Sequence, residues 1–149
     1  MSFNNKVVWI TGASSGIGEA LAYEFAQQGA RLVLSARRAD ILEQVKAKCK
    51  NAAQHLVLPM DMTDSSRFAE LVLKVESHFG AVDILINNAG VSQRALVKDT
   101  ILSVDRALLE VDYFGPVALT KTLLPYMLAR NSGRLVAVSS IAGLVATPY

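Results

Sequence analysis

Near the amino terminus, a glycine-rich segment has the residue types and spacing of a phosphate-binding turn. Thr11-Gly12-Ala13-Ser14-Ser15-Gly16-Ile17-Gly18 comes directly after the apolar run Val7 to Ile10 and opens a segment with helical spacing. Glycine lets the backbone approach a pyrophosphate, and the free N–H groups of a helix start attract its charge. A glycine cluster can be a plain turn, but the strand–turn–helix setting favours a dinucleotide. The residues predicted to bind it are Gly12, Ser14, Ser15, Gly16, Ile17 and Gly18.

A second candidate lies at the end of the next apolar run, where Ala36-Arg37-Arg38 follows Ser35. NAD-binding proteins usually place an acidic residue about twenty residues beyond the glycine turn, for the ribose hydroxyls. None is found here, and the guanidinium of Arg37 can pair with a 2′-phosphate through charge-assisted hydrogen bonds. The segment therefore favours NADP(H) over NAD(H). The alternative is that Arg37 and Arg38 only begin a solvated helix.

The elements that must position these residues alternate along the chain. Segments with helical spacing, with Gly29 and Gly80 placed as terminators, separate short runs typical of buried strands. This alternation predicts an α/β fold, a Rossmann-like doubly wound parallel sheet of about five strands with helices on both faces. The longest helical candidate, Val104 to Ala129, contains Pro116 and Pro125, which we expect to bend or break it. We expect no further element over Ser139 to Tyr149. The predicted strands are Val7 to Ile10, Arg31 to Ser35, His55 to Leu58, Val82 to Ile86 and Arg134 to Val138.

Composition limits the class of protein. The 149 residues are 52% hydrophobic and 19% charged, which suits one globular domain over residues 1–149. The net charge is only +2 and the Lys and Arg residues are scattered along the sequence, which argues against nucleic-acid binding. The single Cys49 excludes an internal disulfide and lacks the partners of a metal site. Met1 to Lys6 resembles no signal peptide, and no apolar run is long enough for a bilayer, so we expect a cytoplasmic protein without membrane contact.

Three further loops extend the pattern. Asn87-Asn88-Ala89-Gly90 follows the fourth predicted strand, Asp61-Met62-Thr63-Asp64 the third, and Val138-Ser139-Ser140-Ile141-Ala142-Gly143 includes the end of the fifth. Together with the glycine turn, these motifs resemble the short-chain dehydrogenase/reductase family over essentially the whole chain. All four loops lie at carboxyl ends of strands, where an open α/β sheet binds ligands.

The resemblance implies roles for several loop residues. It places Asp61 and Met62 beside the adenine, and Asn88, Ala89 and Gly90 along the cofactor path. The residue types also allow purely structural roles. Asp61 or, better, Asp64 can cap a helix, and the asparagine pair can form a turn because Asn tolerates left-handed backbone conformations.

The family transfers hydride between the nicotinamide and a carbonyl or alcohol carbon, with a tyrosine as general acid or base and a lysine that lowers its pKa. By motif position, Ser140 resembles the serine that hydrogen-bonds the substrate oxygen, ahead of Ser139. It can equally be a loop hydroxyl. The family usually has asparagine where Asp112 stands, in a proton relay, and an ionised carboxylate can only accept hydrogen bonds.

The expected Tyr-x-x-x-Lys motif is missing from this sequence. The chain ends nine residues after Ser140, so Tyr149 is too close and no lysine follows it. Four positions after Tyr23, Tyr113 and Tyr126 stand Gln27, Val117 and Arg130. We therefore expect a fragment of an NADP(H)-dependent oxidoreductase, truncated before this motif and inactive alone.

Two other classes stay open. The chain could be a module that senses NADP(H) without turnover or assembles with a second polypeptide that carries the tyrosine, or, less consistent with the glycine turn, a structural protein. The sequence does not identify the small carbonyl or alcohol substrate. The resemblance implies that full-length relatives commonly form homo-oligomers, which pair through the helix that contains Asp112 and the one after it. An unpaired fifth strand predicts poor solubility for the fragment.

Overall fold

The computed structural model describes residues 3–145. Five parallel strands form one sheet in the order β3-β2-β1-β4-β5. This is the doubly wound α/β architecture that the alternating pattern predicted. β3 is shorter than predicted, and just before it the His55 ring stands in for a strand acceptor, since its Nδ1 accepts a hydrogen bond from Leu32 N–H at 3.2 Å. The strands are β1 Val7–Thr11, β2 Arg31–Ser35, β3 Leu56–Val57, β4 Ile84–Asn87 and β5 Arg134–Ala137.

Helices cover both faces of the sheet. Alternate residues of β1 point to opposite layers, with Val8 and Ile10 in the core under α1 and α2, and Val7 and Trp9 in the core under α3 and α5. This two-layer burial explains why the strands are continuous apolar runs. β5 differs, since all four of its residues are exposed. The helices are α1 Gly16–Gln27, α2 Ala39–Lys48, α3 Phe68–Phe79, α4 Leu102–Leu109 and α5 Gly115–Ala129.

The long helical candidate is irregular just before Pro116 and continues through Pro125. α4 and α5 are joined by a π-helical segment, Glu110–Phe114, which ends two residues before Pro116, a residue that has no N–H to donate to the preceding turn. α5 continues through Pro125, so of the two predicted effects, a bend or a break, the break does not occur there. Pro125 faces solvent, where water can satisfy the freed carbonyl.

Short 3-10 turns complete the chain. They are Ala52–Gln54, Ser65–Arg67, Val97–Asp99 and Ile141–Gly143. The last of these corrects the expectation that no element follows β5 within the described residues. Gly80 caps α3 with a φ of +80°, and Gly29 follows the cap of α1 with a φ of +86°, so both glycines terminate helices as predicted.

Candidate functional site

A cleft of about 420 Å³ lies at the carboxyl ends of β1, β2 and β4. Strand order reverses between β1 and β4, and open α/β sheets bind ligands at such a switch point. The structure therefore brings the predicted loops together at one edge. Of the predicted cofactor residues, those that line the cleft are Gly12, Ser14, Ser15, Ile17, Arg37, Asp61, Met62, Asn88, Ala89 and Gly90.

The glycine turn packs directly against the loop after β4. Gly12 has a φ of +67°, and a Cβ there would lie 2.8 Å from the Cα of Ala89. A Cβ on Gly18 would overlap the carbonyl oxygen of Gly12, so this buried position also needs glycine. Gly16 has a φ of +59° and open space around it. Gly16 and Gly18 do not line the cleft; they shape the backbone that does.

Thr11 joins these two walls, a role that motif spacing alone did not identify. Its side chain is 1% exposed, and its hydroxyl oxygen accepts hydrogen bonds from the N–H groups of Asn88 and Ala89, both at 3.0 Å. The same hydroxyl donates to the carbonyl oxygen of Ile86 at 3.3 Å. One buried side chain thus satisfies three backbone groups at the end of β4.

The asparagine pair acts through its side chains. Asn88 Nδ2 donates to the carbonyl oxygens of Thr11, at 3.0 Å, and Gly12, at 3.3 Å, while Asn87 Nδ2 donates to Thr120 Oγ1 at 3.1 Å. Neither asparagine has a positive φ, which corrects the alternative of a left-handed turn pair. The Asn88 amide instead bonds the loop after β4 to the end of β1 and the glycine turn, and the Asn87 amide bonds the end of β4 to α5.

The acidic loop after β3 carries a well-stabilised carboxylate. Asp61 Oδ1 accepts hydrogen bonds from Thr63 N–H at 2.9 Å and from Thr63 Oγ1 at 2.8 Å. These bonds, with the positive charge of Arg37, hold the pKa of Asp61 below its ordinary value, against a smaller opposing effect of burial. Asp61 is therefore an ionised acceptor at the cleft edge. Its carboxylate closes a local turn on Thr63 and caps no helix.

Asp64 occupies the predicted cap position, before the turn Ser65–Arg67, but its side chain caps no backbone N–H. Its Oδ1 accepts the hydroxyl of Ser66 at 2.5 Å. The prediction of a capping hydrogen bond from Asp64 is therefore wrong, since the carboxylate bonds to the nearby Ser66 hydroxyl instead.

Several lining residues were missed from the sequence. Ser35 is fully buried, and its Oγ accepts a hydrogen bond from Trp9 Nε1 at 2.9 Å. Its place at the carboxyl end of β2 is the feature that could have identified it. Arg38 lines the cleft together with Arg37, and both are exposed. The remaining missed residues are Ala36, Met60, Val91 and Val111.

The two candidate catalytic residues lie outside the cleft lining. Ser140 is exposed, and its Oγ accepts the N–H of Ala142 at 3.1 Å at the start of the turn Ile141–Gly143. Asp112 lies in the π segment, where its Oδ1 accepts Val91 N–H at 2.8 Å. Asp112 thus bonds to the loop after β4. An ionised carboxylate can accept this hydrogen bond as an asparagine amide oxygen would, although it cannot donate one.

The tyrosines of the described residues do not line the cleft. Tyr23 donates its hydroxyl to Glu19 Oε1 at 2.6 Å, and this bond, more than burial, raises the pKa of Tyr23 to about 12. Tyr113 stacks edge-on against Phe114, and Tyr126 packs against the core. Tyr149 lies outside the described residues.

The Arg130 side chain makes two hydrogen bonds to backbone carbonyl oxygens. Its Nε donates to the backbone carbonyl of Tyr126, and its Nη2 donates to the carbonyl of Val82. The guanidinium therefore links the end of α5 to the segment before β4. Arg130 thus bonds to the Tyr126 backbone and not to its phenol, and both residues are half-buried.

Within residues 3–145, no group of three or more His, Cys, Asp or Glu side chains is placed to hold a metal ion. Cys49 is buried, and burial raises the pKa of its thiol to about 11, which disfavours the reactive thiolate. Over the same range, no helix is both long and apolar enough to cross a membrane.

Comparison with known proteins identifies relatives that belong to one family. Residues 6–149 match the family described as short chain dehydrogenase. The chain is 49% identical over 149 residues to dehydrogenase/reductase SDR family member 7 of Homo sapiens, covering 97% of this chain and 44% of the human protein. It spans about half the length of the curated relatives it matches.

Two solved structures carry bound nicotinamide cofactors. A 7α-hydroxysteroid dehydrogenase complexed with NADH and 7-oxo glycochenodeoxycholic acid superposes with a TM-score of 0.92 at 28% identity, covering 99% of this chain and 58% of that one. A metagenomic short-chain oxidoreductase in complex with NADP gives a TM-score of 0.91 at 31% identity, with coverages of 99% and 68%.

Proposed function

The chain belongs to the short-chain dehydrogenase family, and we propose on that basis that it is the NADP(H)-binding half of an oxidoreductase. The complete enzyme transfers hydride to or from a carbonyl or alcohol carbon of a small molecule. Residues 1–149 bind the cofactor without turning substrate over. The observation that carries this proposal is the single cleft that joins the glycine turn, the two arginines after β2 and the loop after β4.

The residues of the cleft fit a dinucleotide. Gly12 packs against Ala89, nothing lies within 4 Å of an added Cβ at Gly16, and Ser15, the N-cap of α1, lines the cleft, so the start of α1 adjoins the space that a phosphate would occupy. Among the described residues, Arg37 and Arg38 form no ion pair, and although the charge of Arg37 acts on Asp61, the cleft lining carries two arginines against that one carboxylate. A phosphorylated nucleotide complements both features.

The roles follow from these positions. Ser14, Ser15 and the glycine turn would hold the pyrophosphate, Arg37 the 2′-phosphate, and Asp61 and Met62 the adenine side. When bound, the cofactor supplies or accepts the hydride. Asn88, held by its two bonds to the glycine turn, would keep the opposite wall in place.

The residues that follow β2 support a preference for NADP(H) over NAD(H). The two structural relatives contain NADH and NADP respectively, so the choice rests on this chain's own residues. Arg37 lines the cleft directly after β2, and no carboxylate stands at that position to bind ribose hydroxyls and repel a 2′-phosphate.

Replacement of Arg37 tests this preference. Charge-assisted hydrogen bonds contribute about 1.5–3 kcal/mol, so R37Q should weaken NADPH binding roughly 10- to 100-fold and leave NADH binding nearly unchanged. Fluorescence titration of the 149-residue chain measures both affinities. R67Q is a matched control, because Arg67 is also exposed but lies outside the cleft. An equal loss for both nucleotides, or no loss for NADPH, would refute the role of Arg37.

An assay of carbonyl reduction tests whether this chain is catalytically inactive, as proposed. In the described residues, no tyrosine lines the cleft, and Ser140 is bonded to its own turn. We expect NADPH binding without carbonyl reduction over a panel of aldehydes and ketones. Measurable reduction would show that another group in this chain supplies the proton.

A further inference from the structure

Gly115 opens α5 where the helix backbone passes directly against the loop after β3. A Cβ on Gly115 would lie 2.5 Å from the carbonyl oxygen of Met62 and 3.0 Å from the Met62 Cβ. Contacts below 3.0 Å are essentially never seen for real Cβ atoms, so a larger residue requires a displacement of at least about half an ångström. The backbone at Gly115 is ordinary right-handed helix, so packing, and not conformation, calls for glycine.

The helix itself cannot easily move away. The N–H of Gly115 donates to the carbonyl of Glu110, closing the π segment, and that oxygen would lie 3.1 Å from the added Cβ. Further along α5, Leu119 and Leu123 are fully buried in the core. Met62 belongs to the same core cluster, but its displacement moves one core side chain, whereas retreat of α5 would move Leu119, Leu123 and Met127 together. We therefore expect the loop that carries Met62 to yield.

Met62 lies between Gly115 and the cleft. Its side chain is 6% exposed and lines the cleft on one side, while on the other it lines a groove of about 400 Å³ that Gly115 also lines. Its neighbour Asp61 lines the cleft as well. Displacement of Met62 away from Gly115 consequently changes the cleft wall at the end of β3.

We propose that Gly115 is a positioning residue, whose missing side chain sets the place of Met62 and hence the fit of the adenine end of the nucleotide. The inference rests on the proposed nucleotide-binding function. It connects the start of α5, which does not line the cleft, to the affinity of the cleft for adenine nucleotides.

The test uses 2′,5′-ADP, which carries the adenine end of NADP without the nicotinamide. G115A should weaken 2′,5′-ADP binding by about tenfold, because small misplacements of binding groups are costly. Its melting temperature should fall, because the added Cβ meets a backbone oxygen and overpacking is destabilising, but the chain should stay folded at the temperature of the titration. The 13C-methyl NMR signal of Met62 should shift in free G115A. L128A, an exposed change on the same helix, should alter neither affinity nor that signal.

The outcomes separate the two proposals. Unchanged affinity of G115A, or lost affinity with an unmoved Met62 signal, overturns the role of Gly115 alone. If G115A does not fold, M62A replaces it, and an M62A chain that binds 2′,5′-ADP normally also overturns the inference. If the unaltered chain binds neither NADPH nor 2′,5′-ADP, the proposed function fails and the inference fails with it.

Discussion

Replacement of Thr11 by valine should destabilise the junction between the glycine turn and the loop after β4. Valine keeps the shape of threonine but loses the hydroxyl. The N–H groups of Asn88 and Ala89 then lose their acceptor, and the carbonyl of Ile86 loses a donor. Because Thr11 is 1% exposed, little water can take the place of the hydroxyl.

The expected cost follows from these bonds. A buried polar group left without a partner costs about 1–3 kcal/mol. Asn88 and Ala89 are half-buried, which favours the lower half of that range for each N–H. The two N–H groups together cost about 2–4 kcal/mol in T11V, before any cost at the Ile86 carbonyl, and this is a large fraction of the ~5–15 kcal/mol that stabilises a typical domain. T11S keeps the hydroxyl and loses one methyl group, at a cost of about 1 kcal/mol.

Urea unfolding at constant pH measures both variants against the unaltered chain. We expect T11V to be clearly less stable than T11S, and NADPH binding to weaken only in T11V, because the hydroxyl holds the two walls of the cleft together. If T11V and T11S agreed within about 0.5 kcal/mol, the hydroxyl would not connect the walls as described.

Two further predictions concern other parts of the molecule. Burial holds the pKa of His55 below 6.5, and its neutral ring accepts Leu32 N–H, so stability should fall as pH drops below about 6.5, where only the unfolded chain gains the proton. Urea midpoints from about pH 7.5 to about pH 5.5 should vary less in H55N than in the unaltered chain, and parallel profiles would contradict this. V136K, on the exposed strand β5, should raise the soluble fraction of the chain after centrifugation, because a charge on an open strand discourages pairing between copies. Q27K adds the same charge on an exposed helix position, and an equal gain from Q27K would show that net charge alone is responsible.

Local patterns determined much of this fold. The run Arg31 to Ser35 was predicted as a strand with the bounds that β2 has, because a short apolar run enclosed on both faces leaves little choice of structure. The glycine turn was placed correctly between β1 and α1, since its spacing and its neighbours all lie within a few residues. Strand–helix alternation then implied the parallel sheet and the edge where the loops meet.

Contacts between distant residues determined the rest. Thr11 bonds to Ala89 across 78 positions, Gly115 meets Met62, and Asp112 holds Val91, and no local pattern encodes these pairs. The path of α5 through Pro125 likewise depends on which side of the helix faces water. Sequence spacing limits which elements form, because their hydrogen bonds are local. Only the packed structure decides which buried donor meets which acceptor, because those partners come together when the elements fold against one another.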